Sequence, residues 1–227
     1  MHVKAKASEP ITDPQGVQNI LQALNDSGST GGHYAVIWGI GCLMGLRVSD
    51  VLTIRAGDIL GQTYYLKPEK KTGKVRRIKI SPGVNMLLDA LTHGRGQQGA
   101  AAPLISSRKD MQTLENKAVH RVFKQTIRNV GFTGNHGTHT MRKTFAYHVW
   151  EMTHNIDILQ ELFQHSDRFI TRKYLPEGLD VSVTDRTIWL TDDEVYDRLS
   201  QRFALAIMGR LNLPRHYVSD VVNFDVA

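Results

Sequence analysis

A chain of 227 residues, 41% of them hydrophobic, can bury a sizeable core and has room for one catalytic-sized domain with an appendage. Its formal charge of +6 favours an anionic partner such as nucleic acid, and its single cysteine, Cys42, excludes an internal disulfide framework and a cysteine-based zinc site. No apolar run nears the roughly 20 residues of a membrane span and no charged-then-apolar leader opens the sequence, so the expectation is a soluble, cytoplasmic protein with no membrane partner.

Residues 1–8 are polar and basic and read as a loose end or linker stub. Asp13 as N-cap and Pro14 at the first helical position then open a helix with Val17, Ile20, Leu21 and Leu24 at i, i+3, i+4 and i+7. A second helix, His33 to Met44, is apolar nearly all round and belongs in the core, and Gly45 offers it a left-handed cap. Arg47 follows on a tight connection, with Ser49 expected to cap a short helix through Leu52. Strands over 63–68 and 75–80 flank a turn at Thr72 and Gly73, and Lys71 lies on this hairpin.

Ser81 and Pro82 begin a helix through Leu91, and Gly94 to Ala102 reads as a flexible surface loop. Residues 114–130 form an amphipathic helix, with Val119, Val122, Phe123 and Ile127 inward and Arg121, Lys124 and Arg128 outward. Thr138 is placed to cap the helix of His139 and Arg142, behind which Phe145 and Val149 pack. Ile156, Leu159, Leu162 and Phe163 predict a further helix that delivers His165 at its end. Val181 and Val183 alternate as in a strand, and Thr191 with Glu194 forms a capping box. Val195, Leu199, Phe203 and Ile207 then line one helix face, and a final short helix is expected from Pro214 to Val222.

The chemistry concentrates between residues 139 and 174. His139 and Arg142 share a helix face, so both reach one phosphate. An arginine fork binds phosphate bidentately, a histidine moves protons near neutral pH, and a tyrosine hydroxyl can attack phosphorus to give a covalent ester. His165 and Tyr174, nine residues apart, complete the series. Together with GLRVSD around Arg47 and KKTGK around Lys71, the set resembles the catalytic domain of the tyrosine recombinase (phage integrase) family. That family's constellation is arginine, lysine, H-x-x-R, histidine and nucleophilic tyrosine, and here it falls on Arg47, Lys71, His139 with Arg142, His165 and Tyr174, in order.

The resemblance covers residues 9–175, leaving 176–227 as a C-terminal extension that is expected to pack on this domain or on a neighbouring protomer. It implies a mainly α fold with a small antiparallel β-sheet (α+β). It also implies site-specific cleavage and rejoining of double-stranded DNA through a 3'-phosphotyrosyl intermediate, with no metal or nucleotide cofactor, by a homo-tetramer on DNA. Arg47 and Arg142 would stabilise transition-state charge, His139 would accept the Tyr174 proton, His165 would hydrogen-bond the phosphate, and Lys71, or its neighbour Lys70, would protonate the departing 5' oxygen. Asp50 matches the acidic residue the family has three places after the first arginine. Gln164 stands where the family commonly has glycine, and Lys143 where histidine or arginine often follows. Lys70, Lys74, Arg76, Arg77 and Lys143 are candidates for solvated or nonspecific phosphate contact, and Arg168, Arg172 and Lys173 for a phosphate backbone passing Tyr174.

Competing expectations are a metal-dependent nuclease, from Asp58 with Glu69-x-Lys71, a topoisomerase-like strand transferase, and a catalytically silent DNA-binding regulator of the same fold. The family normally places a helical DNA-clamping domain before this one, so the chain is expected to be either a fragment of a longer recombinase or a minimal one.

Overall fold

The computed structural model describes residues 7–68, 75–93, 99–106, 113–182, 184–185, 187–188 and 190–208, with side chains to 203. Helix α1 (Pro14–Asn25) starts as the sequence dictates: the Asp13 carboxylate accepts from the backbone N–H of Gln15 and Gly16, both at 3.0 Å. Its apolar stripe lies on α2 (Gly31–Met44), whose residues are buried on nearly every side. Trp38 on α2 donates its indole N–H to the Val17 carbonyl at 3.1 Å and meets Phe123 edge-on at 5.5 Å. Each large apolar side chain buried on α2 contributes about 1.5–3 kcal/mol of transfer free energy, so this helix is the axis of the core. Gly41 lets another helix approach closely, for a Cβ there would stand 2.1 Å from the Met141 sulfur.

Gly45 ends α2 in the left-handed conformation, φ 63°, where a side chain would also strike the Phe145 ring at 2.7 Å. The short helix α3 (Val48–Val51) starts directly after Arg47, which is itself the extended N-cap. Ser49 therefore lies inside the helix rather than capping it. The turn α4 (Ala56–Ile59) is closed by the Asp58 carboxylate, which accepts from the Arg55 backbone N–H at 2.9 Å. Strands β1 (Tyr64–Pro68) and β2 (Val75–Lys79) pair antiparallel with Lys67 opposite Arg76. The expected turn at Thr72 and Gly73, with Glu69, Lys70, Lys71 and Lys74, lies outside the described residues.

Helix α5 (Pro82–Thr92) packs on α2. The following segment is tied down at its end: the carbonyls of Ala102 and Ala100 accept from the N–H of Ala56 and Gly57, both at 2.9 Å. The expectation of a free surface loop is thus corrected for 99–102, because this backbone satisfies the open start of α4. Helices α6 (Asn116–Asn129) and α7 (Thr138–Thr153) follow. Gly137, not Thr138, is the N-cap of α7, with the Thr140 hydroxyl accepting the Gly137 N–H at 3.0 Å. Helices α8 (Ile156–Phe163), α9 (Arg168–Arg172) and α10 (Asp192–Met208) complete the described elements.

Thr191 and Glu194 make the expected capping box, at 2.8 and 3.3 Å. Val195, Tyr196, Leu199 and Phe203 of α10 are buried against α1, α5 and β2. Val181 lies in no strand, since the segment between α9 and α10 pairs with no other strand among the described residues; Val183, the Ile207 side chain and Pro214 to Val222 fall outside them. The architecture is mainly helical with one two-stranded antiparallel sheet. Among the described residues no helix is long and apolar enough to cross a membrane.

Candidate active site

The C-terminal end of α2 gathers the cationic side chains. Its last carbonyls have no partner within the helix and carry the negative end of the helix dipole, so they attract guanidinium groups. Arg142, on the second turn of α7, donates to the Gly45 carbonyl, and Arg76, on β2, donates to the adjacent Met44 carbonyl at 3.4 Å. Arg47 leaves the same turn two residues later. Three arginines from distant parts of the chain are thereby aimed into one region.

Arg142 is 2% exposed, a rare condition for a guanidinium. Its Cζ lies 3.7 Å from the Phe163 ring centroid and 5.0 Å from that of Tyr174, which provides the stabilisation that ion pairing would otherwise give. Burial first, and then the charge of Arg76, bring its pKa down to about 9. Its Nε–H is buried and donates to no protein acceptor.

Tyr174 sits just beyond α9, its backbone N–H donating to Thr171 at 2.9 Å. Its ring stacks on His165 with centroids 5.3 Å apart and 26° between planes, and meets the edge of Phe163 at 5.0 Å. The positive charges of Arg142 and Arg47 act on the phenol. Burial alone would push this phenol up, but the charges of Arg142 and then Arg47 outweigh it and hold it below the ordinary tyrosine range.

His165 is presented by a backbone feature. Gln164, which caps α8, takes the left-handed conformation with φ 52°, and this accounts for glycine being the common residue at that place in the resembling family. The His165 Nδ1 lies 3.0 Å from the buried Thr171 hydroxyl. His139, one turn before Arg142, is exposed at the mouth of the site. Partial desolvation and then the charges of Arg47, Arg142 and Lys143 lower its pKa, so it is neutral near pH 7 and able to accept a proton.

Arg47, His139, Arg142, His165 and Tyr174 therefore converge, while Lys71 lies outside the described residues. Asp50, on α3, is half-buried and pairs with Lys67 at 3.7 Å. Lys67 and Arg76 are both buried, which corrects the reading of Arg76 as a solvated or nonspecific phosphate-contacting cation. The reason is the two-residue period of the strands: Tyr65 and Ile78 face the core, so Lys67 and Arg76 must share that inner face. The same alternation, applied residue by residue, is the signal that would have found both. Arg77 points outward over the Tyr64 ring at 4.1 Å.

The basic residues before Tyr174 are also less free than expected. Arg168 forms a forked pair with Asp157, and Arg172 donates to the carbonyls of Pro176 at 2.7 Å and Leu179 at 2.8 Å, which anchors the chain after Tyr174. Lys173 is exposed and Lys143 half-buried. Phe163, the ring shared by Arg142, Tyr174 and His165, carries no chemistry of its own and gave no sign of its place in the sequence.

The description "Phage integrase family" applies to a family model that matches residues 11–177. The chain belongs to the phage integrase family. Among curated members, it is 27% identical over 176 residues to the probable integrase/recombinase YoeC of Bacillus subtilis (strain 168), covering 78% of this chain and 92% of that protein. It is 29% identical over 137 residues to tyrosine recombinase XerC of Pelobacter propionicus, covering 60% of this chain and 45% of that one. It is 30% identical over 131 residues to XerA of Pyrococcus furiosus, with 57% and 45% covered. The chain thus spans less than half the length of these XerC and XerA relatives.

Its fold is shared with solved phage integrase-type structures. The XerH recombinase bound to palindromic difH superimposes with a TM-score of 0.59 at 18% identity, over 74% of this chain and 50% of that one. A lambda integrase dimer bound to a COC' core site gives 0.60 at 19% identity, over 82% and 53%. The fold is the catalytic-domain fold of the tyrosine recombinases, and the family places the chain among them as a tyrosine-type DNA strand transferase.

Proposed function

We propose that this chain cleaves and rejoins double-stranded DNA at specific sites, using Tyr174 as nucleophile and forming a 3'-phosphotyrosyl link without metal or nucleotide cofactor. The observation that carries this reading is the Tyr174 ring, stacked on His165 with the Arg142 guanidinium 5.0 Å from its centroid, its phenol held below the ordinary range by the charges of Arg142 and Arg47. In the mechanism, the Tyr174 oxygen attacks the scissile phosphorus, and its proton passes to His139. The bond from phosphorus to the 5' oxygen breaks, and that oxygen takes a proton from Lys71. A DNA 5' hydroxyl reverses these steps, so the bond energy stored in the ester pays for rejoining.

Charge that develops on the phosphoryl oxygens is met by Arg47 and by Arg142, whose buried Nε–H is free to donate. His165, with its Nδ1 beside the Thr171 hydroxyl, turns its other nitrogen to the phosphate. Asp50 supports the site through Lys67. Exposed Lys173, outward Arg77 and Lys143, together with Lys70 and Lys74, contact the DNA backbone nonspecifically. Residues 9–175 form the catalytic domain, followed by the extension 176–227. The solved relatives include a lambda integrase tetramer bound to a Holliday junction, and the same assembly, on DNA in the cytoplasm, is proposed here.

The test is a library of nicked duplexes with a randomised core, from which denaturant-resistant protein–DNA adducts are recovered and sequenced. Wild-type protein should yield adducts through Tyr174, while Tyr174→Phe should yield none and bind the recovered duplex with unchanged affinity. Adduct formation by the phenylalanine variant would refute the assignment.

A further inference from the structure

Resting on that reading, we infer that Arg76 is a positioning residue of the reaction, and that Tyr196 of the C-terminal helix α10 holds it in place, which makes the extension beyond Tyr174 part of the catalytic machinery. Arg76 is 3% exposed. Its guanidinium donates to the Tyr196 hydroxyl at 3.1 Å and to the Met44 carbonyl at 3.4 Å, and it lies 6.0 Å from the Phe163 centroid on which Arg142 sits. Tyr196 is itself buried, 1% exposed, and its ring meets Phe145 at 6.1 Å.

Two buried guanidinium groups side by side repel, and among the described residues neither is joined to a carboxylate by an ion pair. Asp192, at the start of α10, is within the field of Arg76 without pairing to it, and burial, more than any neighbouring charge, raises its carboxyl. An arrangement that costs stability and is nonetheless built from three elements, the end of α2, β2 and α10, has an anion as its natural occupant. Burial apart, Arg76 is the strongest influence lowering the Arg142 pKa, ahead of Arg47. The Arg76 charge therefore raises the positive potential at Arg142 and, through it, at the phosphate. Without the Tyr196 hydroxyl, Arg76 keeps, among the described residues, the longer hydrogen bond to Met44, which holds its guanidinium less firmly.

The duplex recovered with wild-type protein provides the assay: single-turnover adduct formation for Arg76→Met, Arg76→Lys, Tyr196→Phe and the double variant Arg76→Met/Tyr196→Phe. DNA affinity and melting temperature are measured on each. Arg76→Met should slow adduct formation about 10- to 100-fold, less than the ~100- to 1,000-fold expected for a donor touching the reacting oxygen. Arg76→Lys should recover much of the rate because it restores the charge. Tyr196→Phe, which removes one oxygen and keeps the ring, should cost about tenfold, the scale of a hydrogen bond to a charged group. The double variant should be no slower than Arg76→Met, and duplex affinity should stay within about twofold throughout.

Wild-type rates in both folded Arg76→Met and Tyr196→Phe, or equal losses in the lysine and methionine variants, would overturn the inference while leaving Tyr174 as nucleophile. If Arg76→Met does not fold, Tyr196→Phe decides alone. Failure of the wild-type protein to form any adduct would instead overturn the functional reading itself, and the inference with it.

Discussion

Replacing Phe163 with leucine should damage the site without touching any group that reacts. Phe163 is 4% exposed, and one face carries the Arg142 guanidinium at 3.7 Å from the centroid. Tyr174 at 5.0 Å, His165 at 5.1 Å, a stacked Phe145 at 5.6 Å and the Arg76 guanidinium at 6.0 Å also surround this ring. A leucine keeps most of the apolar bulk but has no ring to attract a cation. A desolvated cation–π contact contributes about 2 kcal/mol, and aromatic pairs contribute about 0.5–1.5 kcal/mol each. These terms overlap, so a global stability loss of about 3 kcal/mol is expected in urea unfolding followed by tryptophan fluorescence.

The kinetic consequence is separate. If the full ~2 kcal/mol of the cation–π contact is what keeps Arg142 aimed, adduct formation slows by about 30-fold, at ~1.36 kcal/mol per factor of ten. Phe145→Leu is the control, because Phe145 stacks on Phe163 but has no cation over its own ring among the described residues. It should lose comparable stability and keep a near-normal rate. Equal rates for Phe163→Leu and wild type, or equal rate losses in both leucine variants, would refute the idea that this ring organises the site.

Arg47→Met should raise the Tyr174 phenol: the Arg47 charge helps hold it below the ordinary range, so the pH at which adduct formation levels off should move upward, and an unmoved profile would contradict the pairing. His148, fully buried with its Nε2 3.1 Å from the Ile11 carbonyl, is lowered to about 4 by burial and then by Arg202, so the unfolded chain takes up its proton first. The stability due to its neutral burial is whole above pH ~6.5 and is lost as pH falls from there to about 4, a span equivalent to about 3 kcal/mol. Urea unfolding of His148→Gln should lack that acid-side decline, and parallel curves for the two proteins would contradict it. Lys71→Ala should cleave ordinary DNA very slowly and recover on a strand with sulfur at the bridging 5' position, since a thiolate, with a pKa near 8.5 for its thiol, leaves without an acid. Lys70→Ala, tested beside it, identifies which lysine acts, and a Lys71→Ala variant still inactive on sulfur has lost binding or structure instead.

Helix positions were legible where local chemistry decides them. Asp13 with Pro14, the period of Val17 to Leu24 and the Thr191 box all appear as read, because a cap or an amphipathic stripe depends on residues a few places apart. The caps at Ser49 and Thr138 were misread because polar residues also fit inside a first turn, and the helix start was set instead by Arg47 and Gly137. The set proposed to react was picked out for a different reason: its residue types and order resemble those of one family, wherever they lie in space, and all but Lys71 fall among the described residues.

By itself, then, the sequence determined the elements and the names of the groups that converge, since propensity, period and residue chemistry are local properties. Only the tertiary structure decided which other groups support them. Arg76 and Tyr196 are 120 positions apart and meet only because β2 and α10 pack together. Met44 and Gly45 offer carbonyls to two arginines only because α2 ends where β2 and α7 meet it. Phe163 became the shared ring of the site through the packing of α8 against α7. Such contacts arise from three-dimensional closure of the chain, and no spacing along it encodes them.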